Sequence, residues 1–331
     1  MNSKTYFSFI EQTLHYFNRQ HEQAISQPID CAAAWRGEDM PPLDETAYQL
    51  SADEVEEALS AVALASTIDK PTKELTAADF PLPLLSPKIS EWREQLADGT
   101  GLQVIRGVPV EHWTQGEAEL FFWCFGLHLG RPGEQNPEGH LLGHVTDTGA
   151  RHGDPMTRLY KTAANIEYHC DLADVVGLLC LKKAKSGGHS RIVSSVSVFN
   201  KLVAIRPDLA ERLFEPVLLD VRDREINEAG SSFPVQPCCY ANGKLRTFYH
   251  SDYFRSVTRH TDVPAFTELE QQLFDTYEAI AAEPGMYLDM DLQPGDIQLL
   301  SNHTNLHART EYEDFEDPAE HRHLLRLWLS L

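Results

Sequence analysis

The sequence predicts a mainly β protein with helical insertions (α+β), built on a double-stranded β-helix, that is, a jelly-roll core. Three observations carry this. Short β-type runs recur after residue 95, at Leu102–Pro109, Val175–Leu181, Met286–Met290, Ile297–Leu300, His307–Thr310 and Arg322–Leu329. Helical patterns separate them without the regular strand-helix rhythm of a parallel α/β sheet. Asn242-Gly243, between Cys238–Ala241 and Lys244–His250, is a strong hairpin signal because Asn-Gly suits a type I′ turn.

Taken in order, residues 1–30 space Tyr6, Ile10, Leu14 and Phe17 as a helix would. Ser51–Ala65 opens with Ser51 followed by Glu54, close to a capping box, and is also expected to be helical. These helices have packing, a lid or an oligomer contact as their open roles. Pro28–Asp44 and Asp69–Pro87 are polar and Pro-bearing, and read as connections within a mostly helical outer layer over residues 1–94. A strand over Leu102–Pro109 and a helix over Thr114–Leu129 begin the core. Gly130–Asp154 is irregular and carries His140, His144 and Asp147; the spacing argues against a second metal and leaves a substrate-covering loop or ordinary surface histidines. Ser195–Ile205 and Pro207–Phe214 are short scaffold helices, and Pro264–Glu283 is a longer one ended by Pro284-Gly285. The whole chain, 1–331, reads as one domain with the jelly roll over 95–331.

The chemistry concentrates in residues 165–195. His169 and Asp171 stand two apart in an extended segment, so they share a face and can offer a nitrogen and an oxygen to one ion. The apolar run Val175–Leu181, the turn Gly187-Gly188 and Ser190 follow. His-x-Asp alone means little, since it also occurs at His152/Asp154, His250/Asp252 and His260/Asp262, which read as surface or capping residues. A catalytic metal needs a third ligand. His307 is preferred because it opens a strand and precedes Arg309 and Thr310, with His303 as its competitor. Two His and one carboxylate form the facial triad of non-haem Fe(II) oxygenases.

These segments, together with Gly295-Asp296, Asn302–Thr310 and Arg322–Arg326, resemble the taurine dioxygenase and clavaminate synthase-like superfamily of Fe(II)- and 2-oxoglutarate-dependent oxygenases from about residue 95 onward. The resemblance implies iron held by His169, Asp171 and His307, and 2-oxoglutarate and dioxygen as cosubstrates. It also implies Arg322 and Ser190 on the distal carboxylate of 2-oxoglutarate, Ser190 standing where relatives often carry Thr. A carboxylate at position 171 sets the chain apart from halogenating relatives. Period-two alternation would put Asn165, Glu167, His169 and Asp171 on one face, and Arg326 on the parity of Arg322. The expectation is oxidation, by hydroxylation in the first place, of a small polar metabolite such as an amino acid or other carboxylate, with its acid group on Arg326. The alternatives are a jelly-roll protein that binds a metal or ligand without turnover, and a zinc hydrolase, which would use similar ligands.

Composition bounds the rest. Fifty acidic residues against 28 basic give a net charge of −22, which opposes nucleic acid and anionic membranes as partners. The apolar runs are too short to cross a membrane, and the N-terminal residues lack a signal-like apolar stretch, so a cytoplasmic protein is expected. The 6 cysteines show no zinc spacing and are expected to be free; Cys170 should point away from its neighbours His169 and Asp171. Nothing in the sequence decides oligomeric state, and a homo-oligomer stays open.

Overall fold

The computed structural model describes residues 4–150, 157–221 and 230–331, so the pair His152/Asp154 and the end of the 130–154 loop lie outside the described residues. Two sheets form the centre. The larger runs Tyr48–Gln49, Leu102–Arg106, Ile297–Ser301, Val175–Lys182, His323–Ser330 and Arg131–Pro132, with Leu142–Val145 also on the long C-terminal strand. Its pairings are antiparallel except for Tyr48–Gln49 beside Leu102–Arg106. The smaller sheet runs Tyr287–Met290, Ser190–Ser194, Asn305–Arg309 and Ile166–His169, all antiparallel.

Alternation along the strands builds the layers. Val176, Cys180, Leu324 and Trp328 of the larger sheet share one apolar cluster with Ile192 and Met290 of the smaller. The opposite parity, Val175, Leu179, Leu325 and Leu327, packs against Val62, Ile89, Trp92 and Phe122 of the helices Ala52–Ala65, Leu85–Asp98 and Gln115–Leu129. On the far side, Val193, Leu306 and Ala308 pack against Val198, Phe199 and Tyr277 of the helices Ser195–Ile205 and Glu268–Ala281. The larger, mixed sheet and the smaller, antiparallel one are thus sandwiched by helices. No described helix is long and apolar enough to cross a membrane.

Local signals mostly hold. Ser51 and Glu54 form the expected capping box, and Asn242 and Gly243 take φ of 51° and 75°, both positive as a type I′ turn requires. The stretch Asp69–Pro87 is not all connection. A helix starts at Leu85, with Pro87 in its first turn, where a missing N–H leaves no bond unmade. The helix expected from Pro264 starts at Glu268 behind the N-cap Thr267. All 6 cysteines are free.

Candidate active site

His307 and His169 sit directly opposite each other on neighbouring strands of the smaller sheet, which puts their side chains on one face. Their ring centroids are 4.1 Å apart. Asp171 follows just past the strand end, with Oδ2 3.7 Å from His307 Nε2. One donor atom from each of His169, Asp171 and His307 lies within 4.8 Å of the others, and all three residues are buried. His169 Nδ1 lies 2.9 Å from the Glu167 carbonyl, a bond that holds the proton on Nδ1 and leaves the Nε2 lone pair for a ligand. Burial and the neighbouring His169 push the His307 imidazole down to about 3, so it stays neutral and able to coordinate. Burial would raise the Asp171 carboxyl, but Arg326 and the two imidazoles outweigh it and hold it below its ordinary value.

The Asp171 loop is clamped from behind by Asn302. Asn302 Oδ1 accepts the Asp171 N–H at 3.0 Å, and its Nδ2 donates to the Ala173 carbonyl at 2.9 Å. His303, the competitor for third ligand, is engaged elsewhere: Nε2 is 2.8 Å from Asp174 Oδ1, and the ring stacks on Tyr16 at 4.8 Å. Cys170 turns its Sγ toward the carbonyls of Asn305 and Thr247, away from the cluster, and burial pushes its thiol up to about 12.

Arg322 and Arg309 form a buried pair of neighbouring cations. Both lie against Tyr312, at 5.1 Å and 4.8 Å from its ring. Arg322 Nη1 and Arg309 Nε and Nη1 are buried without a hydrogen-bond partner. Arg322 Nη2 donates to the Gly188 carbonyl, at a long 3.4 Å. Burial lowers the pKa of both guanidinium groups, Arg309 to about 10 with help from its neighbour Arg322. The Gly-Gly turn is explained here. Gly187 and Gly188 take φ of 73° and 72°, and a Cβ on Gly188 would stand 2.9 Å from Arg322 Nε. Ser190 is buried, with Oγ 3.0 Å and 3.1 Å from the Gln298 amide nitrogen and oxygen.

A cavity of about 610 Å3 opens beside His169 and Asp171. Arg326 lines it, packed against the Tyr160 and Trp328 rings, with Nε on Gln135 Oε1 at 2.8 Å and Nη1 3.4 Å from Asp171 Oδ1. Asn165 and Glu167 do not line it. Both are exposed and bonded to each other at 2.7 Å. The strict alternation expected over residues 165–171 fails because of a bulge. His307 pairs with His169 but Arg309 pairs with Ile166, so one extra residue intervenes and Ile166, not Glu167, faces the cavity.

Other side chains came into view only in three dimensions. His250 bridges to His169 across an isolated β-bridge, and its ring stands 5.0 Å from that of His169; with Asp252 it lines the cavity, so this pair is no mere surface feature. His260 instead holds Asp220, and Asp262 accepts from Ser231. His140 and His144 pair with Asn136 and His323, while Glu134, Gln135 and Pro137 of the same loop line the cavity. Arg309 could have been found, since it shares the parity of His307.

The arrangement of two imidazoles, a carboxylate and open space beside them is the donor set of mononuclear non-haem iron oxygenases. Orphaned acceptors fit a cation and orphaned guanidinium N–H groups fit an anion: Asp171 Oδ2 and Arg322 Nη1 are both buried without a hydrogen-bond partner among the described residues. The profile of the taurine catabolism dioxygenase TauD, TfdA family matches residues 67–328, and the chain belongs to that family. It is therefore an Fe(II)- and 2-oxoglutarate-dependent dioxygenase. It is 29% identical over 312 residues to FR-33289 synthase of Streptomyces rubellomurinus, covering 93% of this chain and 92% of that one. Among solved structures it resembles an asparagine oxygenase bound to Fe(II), 3-hydroxyasparagine and succinate, with a TM-score of 0.68 at 15% identity over 86% of this chain and 93% of that one. It also resembles the non-heme iron oxygenase OrfP bound to Fe and α-ketoglutaric acid, with a TM-score of 0.63 at 17% identity over 86% and 94%.

Proposed function

We propose that the chain hydroxylates a small metabolite bearing an acid group, with His169, Asp171 and His307 holding the iron, Arg322 and Ser190 holding 2-oxoglutarate, and Arg326 receiving the substrate's acid. The observation that carries this is the cluster of His169, Asp171 and His307 beside a cavity that is lined by His169, Asp171 and the buried Arg326. When bound, iron with 2-oxoglutarate supplies the oxidising chemistry: dioxygen is split, 2-oxoglutarate leaves as succinate and carbon dioxide, and an oxygen atom enters a C–H bond.

The protein's part is to bind and orient. The Glu167 carbonyl fixes which nitrogen of His169 faces the ion, and Asn302 fixes the Asp171 loop. Arg322 offers a planar fork that can take a carboxylate by two parallel bonds, and its burial keeps water from competing for them. Arg326 has Nε on Gln135 and Nη1 toward Asp171, which leaves Nη2 for the substrate's acid.

The paired sheets, with their likeness to the asparagine oxygenase, support reading the core as a double-stranded β-helix in a single domain over 1–331. The 3-hydroxyasparagine bound to that relative supports an amino acid or similar acid as substrate. The net charge of −22 opposes a nucleic-acid partner, and free thiols suit a reducing, cytoplasmic setting. A screen of polar acids for succinate release with Fe(II), ascorbate and 2-oxoglutarate, with mass analysis of the product, tests the reading. Acids that raise succinate and gain one oxygen support it; turnover that no acid stimulates overturns it.

A further inference from the structure

The helix Phe9–Phe17 has one face locked onto the core. Gln12 Nε2 donates to the Leu172 carbonyl at 3.3 Å, and Gln12 Oε1 accepts from Ser330 Oγ at 3.1 Å. His15 Nε2 is 2.9 Å from Asp174, and the Tyr16 hydroxyl donates to the Asn302 carbonyl at 3.0 Å. The helix is thus tied to the segments that carry the iron-site residues, and its N-terminus is pinned by the Ser8/Glu11 capping box and by Phe9 N–H on Glu134 at 2.9 Å.

Its other face is left apolar and open. Ile10 and Leu14, one turn apart, are 70% and 67% exposed, the two most exposed large apolar side chains among the described residues. Neither contributes to a core cluster. Both line the cavity that ends at His169, Asp171 and Arg326, as do Phe9, Leu159, Leu219 and Phe233. An exposed apolar patch continuous with a polar, cation-bearing pocket marks a ligand site more often than a tolerated surface. Volume agrees: about 610 Å3 falls in the roughly 300–1,000 Å3 range of pockets that take drug-sized ligands, and a bare amino acid would leave the apolar end wet.

We propose that this N-terminal helix is the outer wall of the substrate cavity, and that the substrate carries, beyond its acid group, an apolar chain or ring that packs on Ile10 and Leu14. This rests on the assignment of Arg326 to the acid group. Ile10 and Leu14 then set specificity without touching the iron, and the helix joins substrate recognition to the Asp171 loop through Gln12 and His15.

The test uses straight-chain 2-amino acids from alanine to 2-aminodecanoic acid with the full chain loaded with Fe(II) and 2-oxoglutarate. Binding is read anaerobically from the perturbed visible band and turnover from succinate. In the wild type, each methylene that reaches the wall should lower Kd about two- to fourfold, the range for partial to full burial of a CH2. Ile10→Asn/Leu14→Asn should flatten that gain and raise KM for the long acids by at least about tenfold. It should still fold, because neither side chain is buried. Leu64→Asn, half exposed on another helix away from the cavity, should keep the wild-type gain. Binding with no dependence on chain length, or an unchanged gain in the double variant, overturns the wall. Loss of self-association in the double variant with that gain unchanged also overturns it and assigns the face to a second copy. Failure of every acid to bind overturns the Arg326 assignment as well, which separates the two failures.

Discussion

Replacing Arg322 with alanine should weaken 2-oxoglutarate binding while sparing the fold. Arg322 is 5% exposed, its Nη1 has no partner, and its Nη2 bond to Gly188 is long at 3.4 Å. The ligand-free protein thus holds a buried cation whose neighbours, Tyr312 among them, do not outweigh the burial that lowers its pKa. Removing one member of a buried charge-assisted pair costs about 2–5 kcal/mol, which corresponds to roughly 30- to 4,000-fold in Kd. Arg309 cannot fully substitute, because its Nη2 is committed to the carbonyls of Thr162 and Ala164. Titration of the anaerobic Fe(II) protein with 2-oxoglutarate measures Kd, and thermal unfolding without ligand checks the fold. The ligand-free Tm should hold or rise, while stabilisation by added 2-oxoglutarate should vanish. Ser190→Ala, losing one hydrogen bond, should cost only about 1 kcal/mol. A Kd for 2-oxoglutarate within threefold of wild type in Arg322→Ala would refute the reasoning.

Asn302→Ala should weaken metal binding by about tenfold and lower stability by about 1–3 kcal/mol, since it strips the Asp171 N–H and the Ala173 carbonyl of their buried partners; Co(II) titration followed by its visible spectrum checks this, and an unchanged affinity would count against the clamp. His303→Ala should lower Tm, through loss of the Tyr16 stack and the Asp174 bond, yet keep the metal; loss of metal equal to that of His307→Ala would reverse the choice of ligand. Burial and the neighbouring His144 push His323 down from 6.5 to about 4. In that window the unfolded chain binds more protons, so stability should be complete above pH 6.5 and drain away as pH falls toward 4. After allowance for its partial exposure the loss is on the order of 1–2 kcal/mol. Denaturant melts of wild type and His323→Asn between those pH values measure it, and identical pH slopes would refute it.

The grouping of His169, Asp171 and His307 was legible because its two anchors are local patterns: His169 and Asp171 are two residues apart, and His307 opens an extended run. The Gly187-Gly188 turn was legible as punctuation, although its reason, the close approach of Arg322, belongs to the folded chain. Glu167 went astray because a bulge is a property of strand pairing, and nothing in residues 165–171 announces that Arg309 will meet Ile166. The helix at Leu85 was hidden by Pro87, which punctuates a loop as readily as a first turn. The role of residues 9–17 was beyond reach for a different reason. Their contacts with Leu172, Asn302 and Ser330 span 160, 286 and 318 residues of chain, and no local pattern encodes them.

The central claim is that His169, Asp171 and His307 hold one iron on which 2-oxoglutarate sits. Its most direct test is the visible metal-to-ligand charge-transfer band of the anaerobic protein with Fe(II) and 2-oxoglutarate. The band should appear in the wild type and in His303→Ala, and be absent from His169→Ala and His307→Ala. A band of normal intensity in both of the latter would contradict the account.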